Sequence, residues 1–265
     1  MPSLFPLPGP SLPSFKTLLV KGSYHSSAPI HLSLSCTSEA VDSYAILISP
    51  SRQDLTVALR QYNDEWLKLN SGLGKVSSLS SRVKLLLLST LTSAFMPAAF
   101  HTTLASPPSL LILHEPSAYF LSSDGITSSK WTLSSYLSLI THALSSLTFL
   151  ARAGQTAASF ALFDSRLDQL RLPMVKQPTY RGDDDDDNRA APRLEPVFNF
   201  AQKYFEWIIV ADEEVPSVHE TRKKKIMVLH RNGPNGGSVK TWEWSEGHDI
   251  GNLDAWPATR LFWPS

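Results

Sequence analysis

The chain has 265 residues, enough to bury one sizeable hydrophobic core. Its 24 basic and 24 acidic side chains cancel, so no global field attracts nucleic acid or an anionic membrane, and such binding must be local. The single cysteine, Cys36, excludes an internal disulfide and a cysteine-based structural zinc site, and no apolar run approaches the roughly 20 residues that span a bilayer. These features predict a soluble protein of a reducing compartment.

The first 14 residues are predicted to form a disordered, extended tail. Five prolines lie between Met1 and Pro13. Proline removes a backbone donor and disfavours both a helix interior and an interior strand. We expect residues 15–265 to fold as a single domain.

Strand and helix patterns alternate from residue 30 onward. Ile30–Thr37 alternates apolar and polar residues, which is typical of a half-buried strand, and Tyr44–Ser49 is a short continuous apolar run. One helix is predicted from about Ser51 to Leu69, because apolar residues recur there at three- and four-residue steps. Strand followed by helix is the unit from which parallel sheets are built.

Two more apolar runs of strand length follow, at Lys84–Ser89 and Ser109–His114. Such runs are typical of strands buried on both faces by helices, so they favour a parallel core sheet. The clearest helix begins after Thr132, a plausible N-cap, and reaches about Arg152; Ala158–Phe163 is the next strand. The alternation predicts a layered α/β fold.

Residues 165–196 are predicted to form a flexible charged loop, which contains several arginines and the acidic run Asp183–Asp187. The segments beyond it read as strands joined by turns: Tyr204–Ala211, Lys225–Arg231 and Val239–Ser245. We expect them to form an antiparallel C-terminal extension of the sheet.

No catalytic or metal-binding motif in the sequence is complete. A P-loop needs Gly, four residues, Gly, Lys and then Ser or Thr. Ser71–Lys75 lacks the first glycine and is followed by Val76, whereas Gly233–Thr241 has Ser238 in place of the second glycine. The apolar run ending at His114 offers histidine where a nucleotide hydrolase offers magnesium an aspartate. We therefore expect no catalysis by this chain alone, no cofactor and no metal.

Basic residues in two places are candidates for contacts with DNA phosphates, since clustered cations are most effective along one stretch of backbone. One group lies in the charged loop and the other directly before a predicted strand. The candidate DNA-binding residues are Arg166, Arg171, Lys176, Arg222, Lys223, Lys224 and Lys225. The five aspartates of the loop oppose this interpretation, and the run from Arg222 to Lys225 is also explained as a solvated strand entrance.

The order of these segments resembles the core of RecA-like recombinases, especially the divergent recombinase paralogues and the Shu-type mediator subunits that lack Walker motifs. Tyr44–Leu69 resembles the second core strand and its helix, and Ser109–Tyr119 resembles the Walker B strand. Thr132–Phe163 is similar to the following helix and strand, residues 164–196 to the second DNA-facing loop, and Phe205–Ser245 to the closing hairpins.

The resemblance implies a RecA-like α/β core sheet flanked by helices, with an antiparallel C-terminal extension and a degenerate nucleotide site. It implies a noncatalytic subunit that binds a paralogous RecA-like partner, a recombinase and single-stranded DNA during homologous recombination and DNA repair in the nucleus. Phe95-Met96-Pro97-Ala98 matches a Phe-x-x-Ala motif of recombinases, which makes Phe95 and Ala98 candidate partner contacts. Packing in a core or loop is the competing explanation for this short match.

Two alternatives remain open at this stage. RecA-like folds without a P-loop also occur in the Elongator accessory ring, so the chain is alternatively a cytoplasmic assembly subunit that supports tRNA modification. In that case Trp242, Trp244, Trp256 and Trp263 would form protein interfaces. A small-molecule enzyme of the α/β type would instead need a pocket at the strand ends near Ser49, Ser89 and His114.

Overall fold

A computed structural model of the chain describes residues 1–6, 9–39, 43–87, 108–121, 131–154, 157–175, 193–214, 223–233, 236–249 and 258–262. The strands are β1 (Thr17–Gly22), β2 (Ala45–Ser49), β3 (Val83–Leu87), β4 (Leu110–His114), β5 (Ser159–Asp164), β6 (Arg171–Pro173), β7 (Leu194–Pro196), β8 (Trp207–Glu213), β9 (Lys223–Arg231), β10 (Ser238–Asp249) and β11 (Ala258–Phe262). The helices are α1 (Ala28–Thr37), α2 (Arg52–Tyr62), α3 (Glu65–Asn70), α4 (Gly74–Ser80), α5 (Ser117–Phe120), α6 (Leu133–Gly154) and α7 (Phe198–Ala201), and a 3₁₀ turn follows at Gln202–Tyr204.

Nine of these strands form one sheet in the order β11-β10-β9-β8-β1-β5-β4-β2-β3. The strands from β8 to β3 run parallel to their neighbours, whereas β8, β9, β10 and β11 pair antiparallel in succession. This topology confirms the predicted α/β core sheet, flanked by helices and extended by antiparallel strands at its C-terminal end. No helix within the described ranges is long and apolar enough to cross a bilayer.

Alternate residues of the parallel strands supply two cores, one on each face of the sheet. On one face α6 buries its apolar stripe, including Tyr136 and Ile140, against β1, β4 and β5. On the other face α1 and α2 contribute Leu32 and Leu55 to a core that also contains Trp244 of β10. Burial on both faces explains why β4, an interior strand of the sheet, has four consecutive apolar residues before His114.

The N-terminal segment belongs to this second core, so the prediction of a disordered tail over residues 1–14 is wrong for the residues that the structure describes. Leu4, Phe5 and Leu12 are almost completely buried. Ser3 Oγ bonds the carbonyl oxygens of Phe5 and Pro10 at 2.9 and 2.8 Å. Side-chain burial and local hydrogen bonds order this segment without regular structure, which composition alone did not reveal.

Ile30–Thr37 is part of a helix and not the predicted strand. Most of its circumference is buried, so its sequence lacks the polar stripe of a surface helix. The hydroxyl groups of Ser33 and Thr37 donate to the carbonyl oxygens of residues 29 and 33, at 2.8 and 2.9 Å, so these polar side chains are satisfied inside the core.

The predicted helix from Ser51 to Leu69 is two helices. Asn63 ends α2 in the left-handed conformation, with φ of 44°, and the Asp64 carboxylate caps α3 by accepting the Leu67 amide at 3.0 Å.

Strand β3, expected to be buried, lies at the end of the described sheet, and Leu85 is 38% exposed there.

The predicted charged loop is ordered at both of its ends. Its described parts form the antiparallel pair β6–β7, and Leu167, Leu170 and Leu172 are fully buried against α6 and its neighbours. The interpretation of 165–196 as wholly flexible is therefore wrong for residues 165–175 and 193–196, because apolar side chains anchor them.

Candidate functional site

The first strand of the sheet, the loop that follows it and α1 form the strand–loop–helix unit in which a P-loop lies. From Gly22 the spacing places Ser27 where the motif has its second glycine, Ala28 where it has lysine, and Pro29 where it has Ser or Thr. We call residues 22–27 the phosphate-loop position. The sequence pattern does not reveal this unit, because β1 has only three consecutive apolar residues and closely follows the proline-rich segment.

The two partial P-loop matches found in the sequence lie elsewhere. Ser71–Lys75 spans the turn between α3 and the start of α4, and Gly233–Thr241 belongs to the β9–β10 hairpin. Neither lies between a parallel strand and a helix that starts at its carboxyl end. The geometry therefore agrees with the prediction that neither segment is a P-loop.

Gly22 is the one residue of the motif that the phosphate-loop position retains, and backbone geometry requires it. Its φ is +85°, and a Cβ atom would lie 2.1 Å from the carbonyl oxygen of Ala211 on β8. The next amide, that of Ser23, donates to the same oxygen at 2.7 Å. Glycine thus permits a close approach of two backbones.

Backbone amides of the phosphate-loop position are used inside the protein. The Tyr24 amide donates to the Gly22 carbonyl at 3.0 Å, and the Ala28 amide donates to the His25 carbonyl at 2.9 Å. A P-loop instead directs successive amides at bound phosphates. These amides are not arranged to wrap a phosphate.

Aromatic side chains fill the space beside the phosphate-loop position. His25 is buried; its ring lies 4.8 Å from that of Phe5, stacks on Tyr62 at 5.6 Å and meets the edge of Trp244 at 6.4 Å. Burial lowers the pKa of His25 well below its usual value, with a smaller contribution from neighbouring His31. The ring is therefore neutral at physiological pH.

A buried polar cluster links the phosphate-loop position to the start of α3. The Ser27 hydroxyl donates to Asp64 Oδ2 at 2.5 Å, and His31 Nε2 lies 2.8 Å from the same oxygen. His25 Nδ1 lies 3.0 Å from Ser27 Oγ. Burial alone would raise the pKa of Asp64, but the hydrogen bonds and charge of His31 and the hydrogen bonds from Ser27 and Leu67 lower it to about 2.

A second polar cluster, buried at Asp164 and partly exposed at Glu115, lies at the carboxyl ends of β1, β4 and β5, where α/β proteins bind their ligands. Asp164 accepts the Tyr136 hydroxyl at 2.9 Å and both the amide and hydroxyl of Ser117, at 3.1 and 2.5 Å. Glu115 accepts the Tyr24 hydroxyl and the amide and hydroxyl of Ser165, the last two at 3.0 and 2.9 Å. We call these residues the carboxylate cluster.

The two acids of the carboxylate cluster are electrostatically linked. Burial and the neighbouring charge of Glu115 raise the pKa of Asp164 to about 7. Burial and Glu115 also raise the pKa of Tyr24 well above its usual value. Protein donors already occupy both oxygens of each carboxylate, and the described residues contain no group of three or more acidic, histidine or cysteine side chains placed to hold a metal ion.

His114 ends β4, as predicted, and lies buried with Nδ1 3.4 Å from Ser49 Oγ. Burial lowers its pKa. Ser89, the third residue of the predicted small-molecule pocket, lies outside the described residues. A groove of about 450 Å³ lies elsewhere, lined by residues of α1, α2 and α3 such as Leu59 and Leu67.

Three of the candidate DNA-binding residues, Lys223, Lys224 and Lys225, are paired with glutamates. On β9, Lys223 pairs with Glu213 at 3.0 Å, Lys224 with Glu214 and Glu243 at 3.2 and 3.3 Å, and the buried Lys225 with the buried Glu246 at 3.2 Å. The charge of each lysine is therefore balanced inside the sheet extension.

Arg166 and Arg171 differ from these lysines because both are exposed, near the carboxyl end of β5, and have no ion-pair partner in the described part of the chain. Lys176 and Arg222 lie outside the described residues, as do Phe95 and Ala98 of the Phe-x-x-Ala match. Trp244 is buried in the core, so its predicted place in a protein interface is wrong; Trp242 packs partly buried against the same core, and Trp256 and Trp263 are outside the described ranges.

Fold and site together define an α/β protein whose phosphate-loop position lacks the lysine, the second glycine and the Ser or Thr of a P-loop. Neither a protein-family model nor a curated protein matches the sequence.

Among solved structures, the chain is similar to the flagellar accessory protein FlaH from Methanocaldococcus jannaschii, with a TM-score of 0.48 and 8% identity over 96% of this chain and 92% of that one. It is also similar to a KaiC-like protein from Pyrococcus horikoshii OT3, with a TM-score of 0.42 and 10% identity over 93% of this chain and 89% of that one. Both are similarities of chain path at low sequence identity.

Proposed function

We propose that the chain is a noncatalytic RecA-like subunit that works by binding a partner. One observation carries the proposal: the P-loop spacing from Gly22 has Ser27, Ala28 and Pro29 in place of the motif residues. The Ser23 and Tyr24 amides donate to backbone carbonyls, and aromatic rings fill the space beside the loop. Without the lysine and the amide cradle, the phosphate-loop position lacks the groups with which a P-loop neutralises a triphosphate. A RecA-like core that cannot use ATP can still act by binding other molecules at its surface.

Isothermal titration of the purified chain with Mg-ATP and Mg-ADP tests this first step. We expect no saturable binding in the micromolar range. The double substitution Ala28→Lys with Pro29→Thr serves as a matched comparison, because it restores two motif residues while the aromatic side chains still fill the site. Saturable, magnesium-dependent nucleotide binding by the natural sequence contradicts the proposal.

The finer role that we propose is in a recombinase-mediator complex in the nucleus, where the chain pairs with a paralogous RecA-like subunit and contacts single-stranded DNA. Arg166 and Arg171 are the contacts we propose, because they are exposed and have no ion-pair partner among the described residues. Their contacts would be with phosphates, which position a strand without reading its bases.

Fluorescence anisotropy with labelled single-stranded DNA, for the chain alone and with its partner, tests this role. Reversal of both charges, Arg166→Glu with Arg171→Glu, should weaken binding at least tenfold and reduce its salt dependence. The comparison variant Lys223→Glu should change DNA affinity little, because that lysine is already paired with Glu213. DNA binding that is absent or insensitive to the two arginines argues against the mediator role.

An Elongator-like assembly subunit of the cytoplasm, supporting tRNA modification, remains the second candidate. The observation that favours it is the pairing of Lys223, Lys224 and Lys225 with glutamates, which balances the charge of these three residues of the most concentrated basic run. Affinity purification followed by mass spectrometry separates the two roles, because recombination proteins and tRNA-modification subunits are distinct sets of partners.

A further inference from the structure

The Asp64 carboxylate is the point at which the polar groups around the phosphate-loop position converge. Oδ1 accepts the Leu67 amide at 3.0 Å, and Oδ2 accepts the Ser27 hydroxyl at 2.5 Å and interacts with His31 Nε2 at 2.8 Å. Asp64 and His31 are both buried, with side-chain exposures of 6% and 2%. A buried carboxylate is tolerated only when charge or hydrogen bonds compensate it, and here both do.

The number of available hydrogen atoms determines which group donates in the contact between His25 and Ser27. A serine hydroxyl has one hydrogen, and that of Ser27 is directed at Asp64. The contact of 3.0 Å between Ser27 Oγ and His25 Nδ1 therefore requires the imidazole to donate from Nδ1. His25 Nε2, the other ring nitrogen, is buried without a hydrogen-bond partner. The donor chain runs from His25 through Ser27 to the carboxylate.

This anion lies beside the residue that replaces the second glycine of a P-loop. Ser27 is also the residue that precedes the first turn of α1, and His31 lies on that helix. The carboxylate thus ties the phosphate-loop position and α1 to the break between α2 and α3. The same break contacts β11, where the Thr259 amide donates to the Asn63 carbonyl at 2.9 Å.

We infer that the Asp64 carboxylate takes the role that a bound phosphate has in a P-loop. It is an anion of the chain itself, and it holds the loop and α1 together through Ser27 and His31. The site is therefore an oxyanion site whose occupant is part of the chain. The inference rests on the proposed function in one respect: it explains how a phosphate-loop position stays folded without nucleotide.

The test is chemical rescue of Asp64→Gly, measured as the thermal unfolding midpoint of the full chain. Glycine is tolerated at an N-cap, so this substitution removes the carboxylate with little backbone cost. We expect Tm to fall by on the order of 10 °C, the size typical of leaving a buried charged partner unpaired. Formate at about 0.3 M should raise the Tm of this variant about 3 °C more than chloride at equal concentration, since it supplies a small carboxylate.

The natural chain and Asp54→Gly are the controls, because Asp54 is an exposed acid in the first turn of α2. For both, formate and chloride should give the same Tm within about 1 °C. Formate that acts equally on Asp64→Gly and Asp54→Gly, or no better than chloride on either, overturns the inference.

Asp64→Asn keeps the shape of the side chain and removes its charge. It therefore tests whether the charge is needed even if the glycine variant does not fold. We expect at least half of the loss in Tm seen with glycine, or misfolding of both variants. An asparagine variant as stable as the natural chain shows that Asp64 is only a helix cap and overturns the inference. Nucleotide binding by the natural chain, in contrast, would contradict the proposed function and leave the rescue result unchanged.

Discussion

The pH dependence of stability offers a direct test of the carboxylate cluster, through the substitution Asp164→Asn. Asp164 is fully buried and accepts hydrogen bonds from Ser117 and Tyr136. Asparagine keeps the shape and an acceptor oxygen but cannot ionise beside Glu115. The asparagine NH2 group replaces one acceptor oxygen, so either the Ser117 amide or the Arg166 amide loses its acceptor, and this cost does not vary with pH.

The magnitude follows from the raised pKa of about 7 that burial and Glu115 give Asp164, against an ordinary value near 3.8. A folded-state pKa above the unfolded one means that the folded protein binds the proton more tightly. This contribution to the free energy of unfolding is complete below about pH 4 and is lost as pH rises through about 7. Between pH 5 and pH 8 the loss amounts to about 3 kcal/mol, at about 1.4 kcal/mol per pH unit.

Urea unfolding of both proteins at several pH values between 5 and 8 measures the effect as the difference between them. The difference is needed because His25 and His114, with lowered pKa values, act in the opposite direction by destabilising the fold as pH falls. Asp168→Asn is the control, since that carboxylate is half exposed and paired with Lys21. A difference in unfolding free energy that stays constant across this range refutes the reasoning.

Three further substitutions test the packing around the phosphate-loop position by urea or thermal unfolding. Gly22→Ala should destabilise the chain by about 3 kcal/mol or more, because of its positive φ and the clash with a backbone oxygen, whereas Gly72→Ala, which has open space, should change it by less than about 1 kcal/mol. Lys225→Met should cost about 3–5 kcal/mol by leaving a buried glutamate unpaired, against about 0–1 kcal/mol for the exposed pair of Lys223→Met. Phe5→Ala should cost about 3–5 kcal/mol, whereas a disordered tail would make it neutral.

The sequence predicted the parts of the fold that simple burial patterns encode. The apolar runs of β2 and β4 and the long stripe of α6 each reflect one dominant environment, so their positions were predicted within a residue or two. Helix α1 was mistaken for a strand because it is buried around most of its circumference, and β1 was missed because its neighbours are charged or proline-rich. Periodicity cannot identify an element that lacks a polar face.

The candidate site was harder to predict because its residues are distant in sequence. The apolar run from Ser109 correctly predicted that a strand ends at His114. The Ser27–Asp64 contact was not, because it depends on a helix break that only the left-handed Asn63 produces. The nearest sequence signal for the site was Gly22. It lies five residues before Ser27, which occupies the position of the second P-loop glycine.

The position of β1 between β5 and β8 also determines when the molecule can fold. Leu18 pairs with Ala161 on one side and Trp207 on the other, about 140 and 190 positions later in the chain. The parallel core therefore closes only after chain segments separated by most of the sequence have met. Folding of this kind is expected to be slow, with β1 exposed to nonnative strand pairing until β5 and β8 arrive. A truncation that ends before β8 would leave the central strand with an open edge.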